Sequence, residues 1–79
     1  MNKDQILISI QEIFREVLDD DTILIKLETT SNDVEDWDSL NHIQLIVAIE
    51  KKFKIRFTST EIQNWKDVNE MIDCINLKN

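Results

Sequence analysis

Residues 38–53, DSLNHIQLIVAIEKKF, decide the fold. Asp38 is a good N-cap, and Leu45, Ile49 and Phe53 recur every fourth position with Ile46 beside them, so the stretch predicts a helix with a buried stripe. Leu40, Ile43 and Val47 are apolar too, but they fall on a different side. A helix that is apolar on two sides is either fully buried or turns one side to a partner or ligand. Ser39 sits in the first turn. Unpaired N–H groups and the positive end of the helix dipole would stabilise an anion attached to it there.

The sequence on either side also reads as helix. Across residues 2–18, Ile6, Ile10, Ile13, Phe14 and Val17 form one stripe that Leu7 and Leu18 widen. Asn2 caps its start, with Gln5 three residues on, and the like charges of Asp19, Asp20 and Asp21 oppose its continuation. Residues 19–37 are a long connection. Ile23, Ile25 and Leu27 alternate like a strand, with Ile55 and Phe57 as a possible partner. A lone two-stranded ribbon is marginal, so a loop lidding the core is the favoured reading. Downstream, Thr58-Ser59-Thr60-Glu61 is a capping box opening a short helix over 58–64. Asp67-Val68-Asn69-Glu70 is box-like and opens a last helix to about Leu77, its stripe being Val68, Met71, Ile72 and Ile75. The expectation is an all-α fold: a small four-helix bundle, three main helices plus one short one, in a single domain over 1–79.

Composition narrows the function. The 79 residues contain no Gly and no Pro, which removes Gly-rich phosphate loops and tight hairpin turns. The net charge of −7 argues against nucleic acid and for a partner with a basic docking surface. The acids concentrate before residue 41. No stretch approaches the ~20 apolar residues of a membrane span, and Met1-Asn2-Lys3-Asp4 leads into no long apolar run, so no secretory leader is expected. A soluble, cytoplasmic monomer is the expectation. The single cysteine, Cys74, allows no internal disulfide and no Cys-rich metal site.

An EF-hand loop started at Asp19 puts Leu24 where Gly is needed and Thr30 where the bidentate Glu belongs; one started at Ser31 ends on His42. No metal site is expected. Ser39 and His42 could be read as nucleophile and base, but no strand-to-helix elbow, oxyanion loop or third member accompanies them. A surface Ser and a half-buried His is the better reading. The basic run Lys51-Lys52-Phe53-Lys54-Ile55-Arg56 reads as a solvated helix end favoured by the dipole. Cys74 reads as half-buried filler.

Asp38-Ser39-Leu40, followed by a helix ending Ala48-Ile49-Glu50-Lys51-Lys52-Phe53-Lys54-Ile55, resembles the acyl carrier proteins, and the resemblance runs through the whole chain. It implies that Ser39 carries 4′-phosphopantetheine, installed from coenzyme A by a phosphopantetheinyl transferase with a divalent metal. The thiol of that arm, not Cys74, would hold acyl groups as thioesters. An acyl- or aminoacyl-loading ligase, acyltransferase or synthase would be the working partner. The carrier itself would catalyse nothing. It would raise the effective concentration of a tethered intermediate at each partner's active site. The partner-binding residues implied are Glu35, Asp36, Asp38, Leu40, Ile43, Val47 and Glu50. The chain also departs from fatty-acid carriers. Trp37 stands where many have Gly, and the second helix carries Asn41, Gln44 and Lys51, with only Glu50 acidic. Acids crowd the preceding loop instead, at Asp33, Glu35, Asp36 and Asp38. A specialised pathway, such as secondary-metabolite or polysaccharide acylation, is expected over housekeeping fatty-acid synthesis. The alternatives are an aminoacyl carrier, D-alanyl or peptidyl, and an unmodified helical interaction module.

Overall fold

The computed structural model describes residues 2–34 and 37–78. They form α1 (Lys3–Val17), α2 (Ser39–Phe53), α3 (Ser59–Asn64) and α4 (Val68–Lys78). No strand occurs among the described residues. The expected all-α architecture is therefore the one observed.

Each helix starts where its cap predicts. The Asn2 side chain accepts from the Gln5 N–H at 2.8 Å, and Thr58 and Glu61 close a reciprocal capping box on α3. The α4 start differs in detail from a box. Asp67 Oδ1 accepts from Glu70 N–H at 3.0 Å, while the Glu70 carboxylate reaches back to Lys66 N–H at 2.7 Å. Without Gly, the left-handed positions among the described residues fall to polar side chains, Asp19 just past α1 (φ 53°) and Lys54 at the end of α2 (φ 57°). The Lys54 and Ile55 N–H groups both turn back to the Glu50 carbonyl and close the α2 terminus.

The core forms where the three apolar stripes meet. Ile6, Ile10 and Phe14 of α1, Leu45 and Ile49 of α2, and Val68, Met71, Ile72 and Ile75 of α4 are all fully buried. Val17, expected in the stripe, lies at the core's edge and is only partly buried.

The long connection behaves as a lid, as expected. Ile23 and Ile25 are buried, Leu27 is partly buried, and Leu24 points to solvent. Side chains of α1 bond its backbone where a partner strand would: Arg15 Nε donates to the Ile23 carbonyl at 2.8 Å and Ile25 N–H donates to Gln11 Oε1 at 3.1 Å. Farther on, Val68 and Asn69 N–H donate to the Thr29 and Leu27 carbonyls at 3.0 and 2.8 Å. The loop thus supplies acceptors for α4's otherwise unpaired first turn. Val34 and Trp37, absent from every predicted stripe, complete the core from the loop's far end.

Candidate functional site

The site is built at the start of α2. Asp38 is extended, its side chain accepting from Asn41 N–H at 2.9 Å and its carbonyl from His42 N–H at 2.8 Å. Ser39, the next residue, is exposed. Trp37 anchors this corner. It is only 9% exposed, sets its ring edge-to-face on Phe14 at 4.9 Å, and donates its indole N–H to His42 Nδ1 at 2.9 Å. An indole nitrogen can only donate, so Nδ1 is the bare nitrogen of a neutral imidazole and the ring proton sits on Nε2.

A groove of about 370 Å³ opens against Ser39, walled by Trp37, Asp38, His42, Trp65 and Lys66 among others. Trp65 is half-buried and braced edge-to-face on Phe57 at 4.9 Å. Beyond Ser39, Leu40, Ile43 and Val47 are 68%, 61% and 43% exposed. The second apolar side of α2 therefore faces outward, as its pattern allows. The arrangement offers an exposed primary hydroxyl at the positive end of a helix, with a groove on one side and an apolar ridge on the other.

Comparison with known proteins places this arrangement. The family described as phosphopantetheine attachment site matches residues 9–75. An acyl carrier protein of Acidothermus cellulolyticus is 35% identical over 75 residues, spanning 95% of this chain and 89% of the relative. The solution structure of the holo acyl carrier protein of Geobacter metallireducens matches with a TM-score of 0.85 and 43% identity, over 91% of this chain and 83% of that one. The crystal structure of the Thermotoga maritima acyl carrier protein matches with a TM-score of 0.86 and 26% identity, over 99% and 91% of the two chains. The chain belongs to the acyl carrier protein family.

As an acyl carrier it is a vehicle rather than a catalyst, and its prosthetic group is 4′-phosphopantetheine. The residues fit such a group: an exposed hydroxyl on a helix's first turn, with open space beside it. The carrier's other candidate residues fall out unevenly. Glu35 and Asp36 lie outside the described residues. Asp33 is exposed and turns one oxygen to Thr30 N–H at 3.0 Å. Glu50 is half-buried and accepts from Phe57 N–H at 2.9 Å, so its carboxylate ties α2 to the segment before α3. A second groove, about 360 Å³, is lined by Val47, Glu50, Lys51, Lys54, Ile55 and Arg56.

No cluster of three or more His, Cys, Asp or Glu capable of holding a metal occurs among the described residues. No helix there is long and apolar enough to cross a membrane. The hydrolase pairing lacks a free base, because His42 Nδ1 accepts from Trp37 and the ring proton then sits on Nε2. Cys74 is half-buried, and burial together with the Glu61 carboxylate, 3.5 Å away, pushes its thiol pKa up. It is therefore a poor nucleophile. Glu61 itself is held down at about 2 by the Thr58 N–H and by Lys78.

Sequence reasoning missed the Trp37–His42 pair and the part played by Trp65. The available signal was a Trp directly before Asp38 and a His within the first helical turn. The pair has a measurable consequence. Burial pushes the His42 pKa below its ordinary 6.5, and the Trp37 N–H on Nδ1 acts in the same direction, since protonation would break that bond. The unfolded chain then binds the proton more readily than the folded one. Stability is fully present above pH 6.5 and is lost as pH falls through 6.5 toward the lowered value. Urea midpoints measured from about pH 7 to 5 should fall. His42→Gln, which keeps an acceptor for Trp37 and does not titrate, should flatten that limb. An unchanged slope in the variant would assign the pH dependence elsewhere.

Proposed function

We propose that Ser39 is the residue to which the phosphopantetheine is attached, and that residues 1–79 act as one carrier domain. The observation that carries this reading is the position of Ser39: exposed, first in a fifteen-residue helix, next to its cap and against a groove. The other serines lack that combination. Ser9 is partly buried within α1, Ser31 sits in the loop, and Ser59 opens a helix of only six residues with no buried side chain. When attached, the arm supplies a thiol on which acyl groups are held as thioesters. The chain's own residues present the attachment point: Asp38 holds the helix start, and Trp37 directly before it is set against Phe14 and bonded to His42.

The partners are a phosphopantetheinyl transferase and acyl-handling enzymes, met in the cytoplasm by a monomer. The pathway is a specialised one. This part rests on the charge at the end of α2, where the helix's one acid, Glu50, accepts from Phe57 N–H and shares the groove at Val47 with three cations, Lys51, Lys54 and Arg56. A partner that reads an acidic second helix would meet repulsion there. Lys51→Glu should accordingly speed loading by a housekeeping fatty-acid enzyme, with the gain shrinking as salt screens exposed charge. Equal rates for wild type and variant at low salt would remove this support.

Leu40, Ile43 and Val47 are the apolar part of the docking surface. Val47→Asp should leave the melting curve nearly unchanged and slow modification by the transferase. An unfolded Val47→Asp variant would mean that this face packs inside. The central test is intact mass after incubation of the apo protein with coenzyme A, a promiscuous transferase and Mg²⁺. One added phosphopantetheine, located on the peptide containing Ser39, is expected. No addition, or addition at another residue, overturns the assignment.

A further inference from the structure

We propose that the groove at the end of α2 docks an acidic segment of the acyl-handling partner, with Lys51, Lys54 and Arg56 taking its carboxylates and Val47 an apolar side chain next to them. The inference rests on the reading of Leu40, Ile43 and Val47 as docking surface and adds the charge that the partner presents at one end of it.

The groove is built from a helix end and the turn that follows it. Ile43, Val47 and Lys51 recur every fourth residue, so they follow one another along one face of α2. The exposed apolar row therefore enters the groove at Val47 and passes into a cation at Lys51. Lys54 stands in the left-handed conformation, φ 57°, with its own N–H and that of Ile55 both bonded to the Glu50 carbonyl. Ile55 is buried, and Lys54 and Arg56 on either side of it are exposed. Phe57 N–H on the Glu50 carboxylate, 2.9 Å, ties down the far side of the turn. Two of the cations thus ride on backbone clamped to the helix, which lowers the ordering cost of binding.

The charge of the groove is uncompensated within the chain. Lys51, Lys54 and Arg56 make no ion pair with any described residue, and the one acid in the wall, Glu50, already accepts from Phe57 N–H. A positive groove is the reverse of a chain whose net charge is −7, and acids stand at the opposite end of α2, where Asp33 and Asp38 are exposed. Fifteen residues of helix separate the two ends by about 22 Å. Salt screens exposed charges over ~8–10 Å, so a partner reads the two ends separately, and opposite signs at each end fix the direction in which it lies along α2. A carboxylate is the complement of an arginine and two lysines, and it gains charge-assisted hydrogen bonds from each. An anionic bilayer is a poorer occupant. It is too flat to enter a groove, and it would be repelled by the acids of the rest of the molecule, whereas a protein segment can meet the groove alone.

The test is a nuclear magnetic resonance titration of the ¹⁵N-labelled apo protein with a synthetic helical peptide that carries a row of leucines flanked by glutamates. A twin peptide with lysines in place of the glutamates is the control. Docking predicts saturable shifts of the Val47, Lys51, Lys54 and Arg56 amides with the glutamate peptide at low salt, their loss at high salt, and none with the twin. The variant combining Lys51→Gln, Lys54→Asn and Arg56→Gln should weaken binding about tenfold, the sum of three exposed charge pairs. Asn accepts the left-handed conformation at position 54, and circular dichroism checks the fold. If the combined variant unfolds, Lys51→Gln alone, at an exposed helical position, should still weaken binding. Absence of saturable shifts, equal shifts with the lysine twin, or undiminished affinity in the folded variants would overturn the proposal. Cosedimentation with phosphatidylglycerol vesicles that is lost in the variants would overturn it too, in favour of a lipid surface. No arm is needed in this experiment, so those outcomes leave standing the Ser39 assignment, tested by intact mass, and the apolar surface, tested by Val47→Asp.

Discussion

Ser39→Ala should gain no mass when incubated with coenzyme A, transferase and Mg²⁺, under conditions in which the wild-type protein is fully converted. The loss is expected to be complete rather than partial, because the hydroxyl oxygen is the atom that would bond to phosphorus. The fold should not change. Ser39 is exposed, the cap at this helix end belongs to Asp38 Oδ1, and alanine is the better helix former in a first turn. Thermal melts of the two apo proteins should therefore superimpose within about 0.5 kcal/mol, the usual range for an exposed substitution away from special features. That separation matters, since a variant that failed to load because it had unfolded would say nothing about attachment. Residual loading of a folded Ser39→Ala protein would move the site to another hydroxyl.

The second large effect concerns the core. Phe14→Ala should destabilise the protein by about 3–5 kcal/mol, the cost of deleting a fully buried aromatic side chain and leaving a cavity. For a domain of this size that is most of the stability available, since such domains are marginal to begin with. The damage should also reach the site. Phe14 is the ring against which Trp37 is set, and Trp37 stands directly before Asp38 and holds Nδ1 of His42 as an acceptor. Urea unfolding followed by Trp fluorescence should show a lower midpoint and an altered native baseline for Phe14→Ala. A loss below about 1 kcal/mol would mean that the core repacks around the gap.

The elements that sequence reasoning placed correctly share one property: their cause is local. The α2 stripe of Leu45, Ile49 and Phe53 follows from helical spacing, and the caps at Asn2, Asp38 and Thr58 follow from a side chain reaching a backbone N–H three residues away. The outward face of Leu40, Ile43 and Val47 is legible for the same reason, because a helix has only one core-facing side here. Such features need no knowledge of what lies across the core, and they suffice for a four-helix bundle with Ser39 displayed at the start of its second helix.

What the tertiary structure decided lies where residues distant in sequence, or outside any period, meet. The strand-like alternation of Ile23, Ile25 and Leu27 fits a loop as well as a strand. The outcome rests on Gln11 and Arg15, which bond the loop's backbone from α1. Val34 and Trp37 enter the core from irregular chain, where no periodicity marks an inward side. The acid of Glu50 reads as a docking charge until folding brings Phe57 N–H to it. The groove at Ser39 exists only because α2, the segment before it and the link from α3 to α4 converge, carrying His42, Trp37, Trp65 and Lys66 to one place. Periodicity and capping report a residue's relation to its own helix, whereas a groove and its charge are properties of several elements at once. Local order was therefore determined by the sequence as read, and the surroundings of the attachment point by the packing of the bundle.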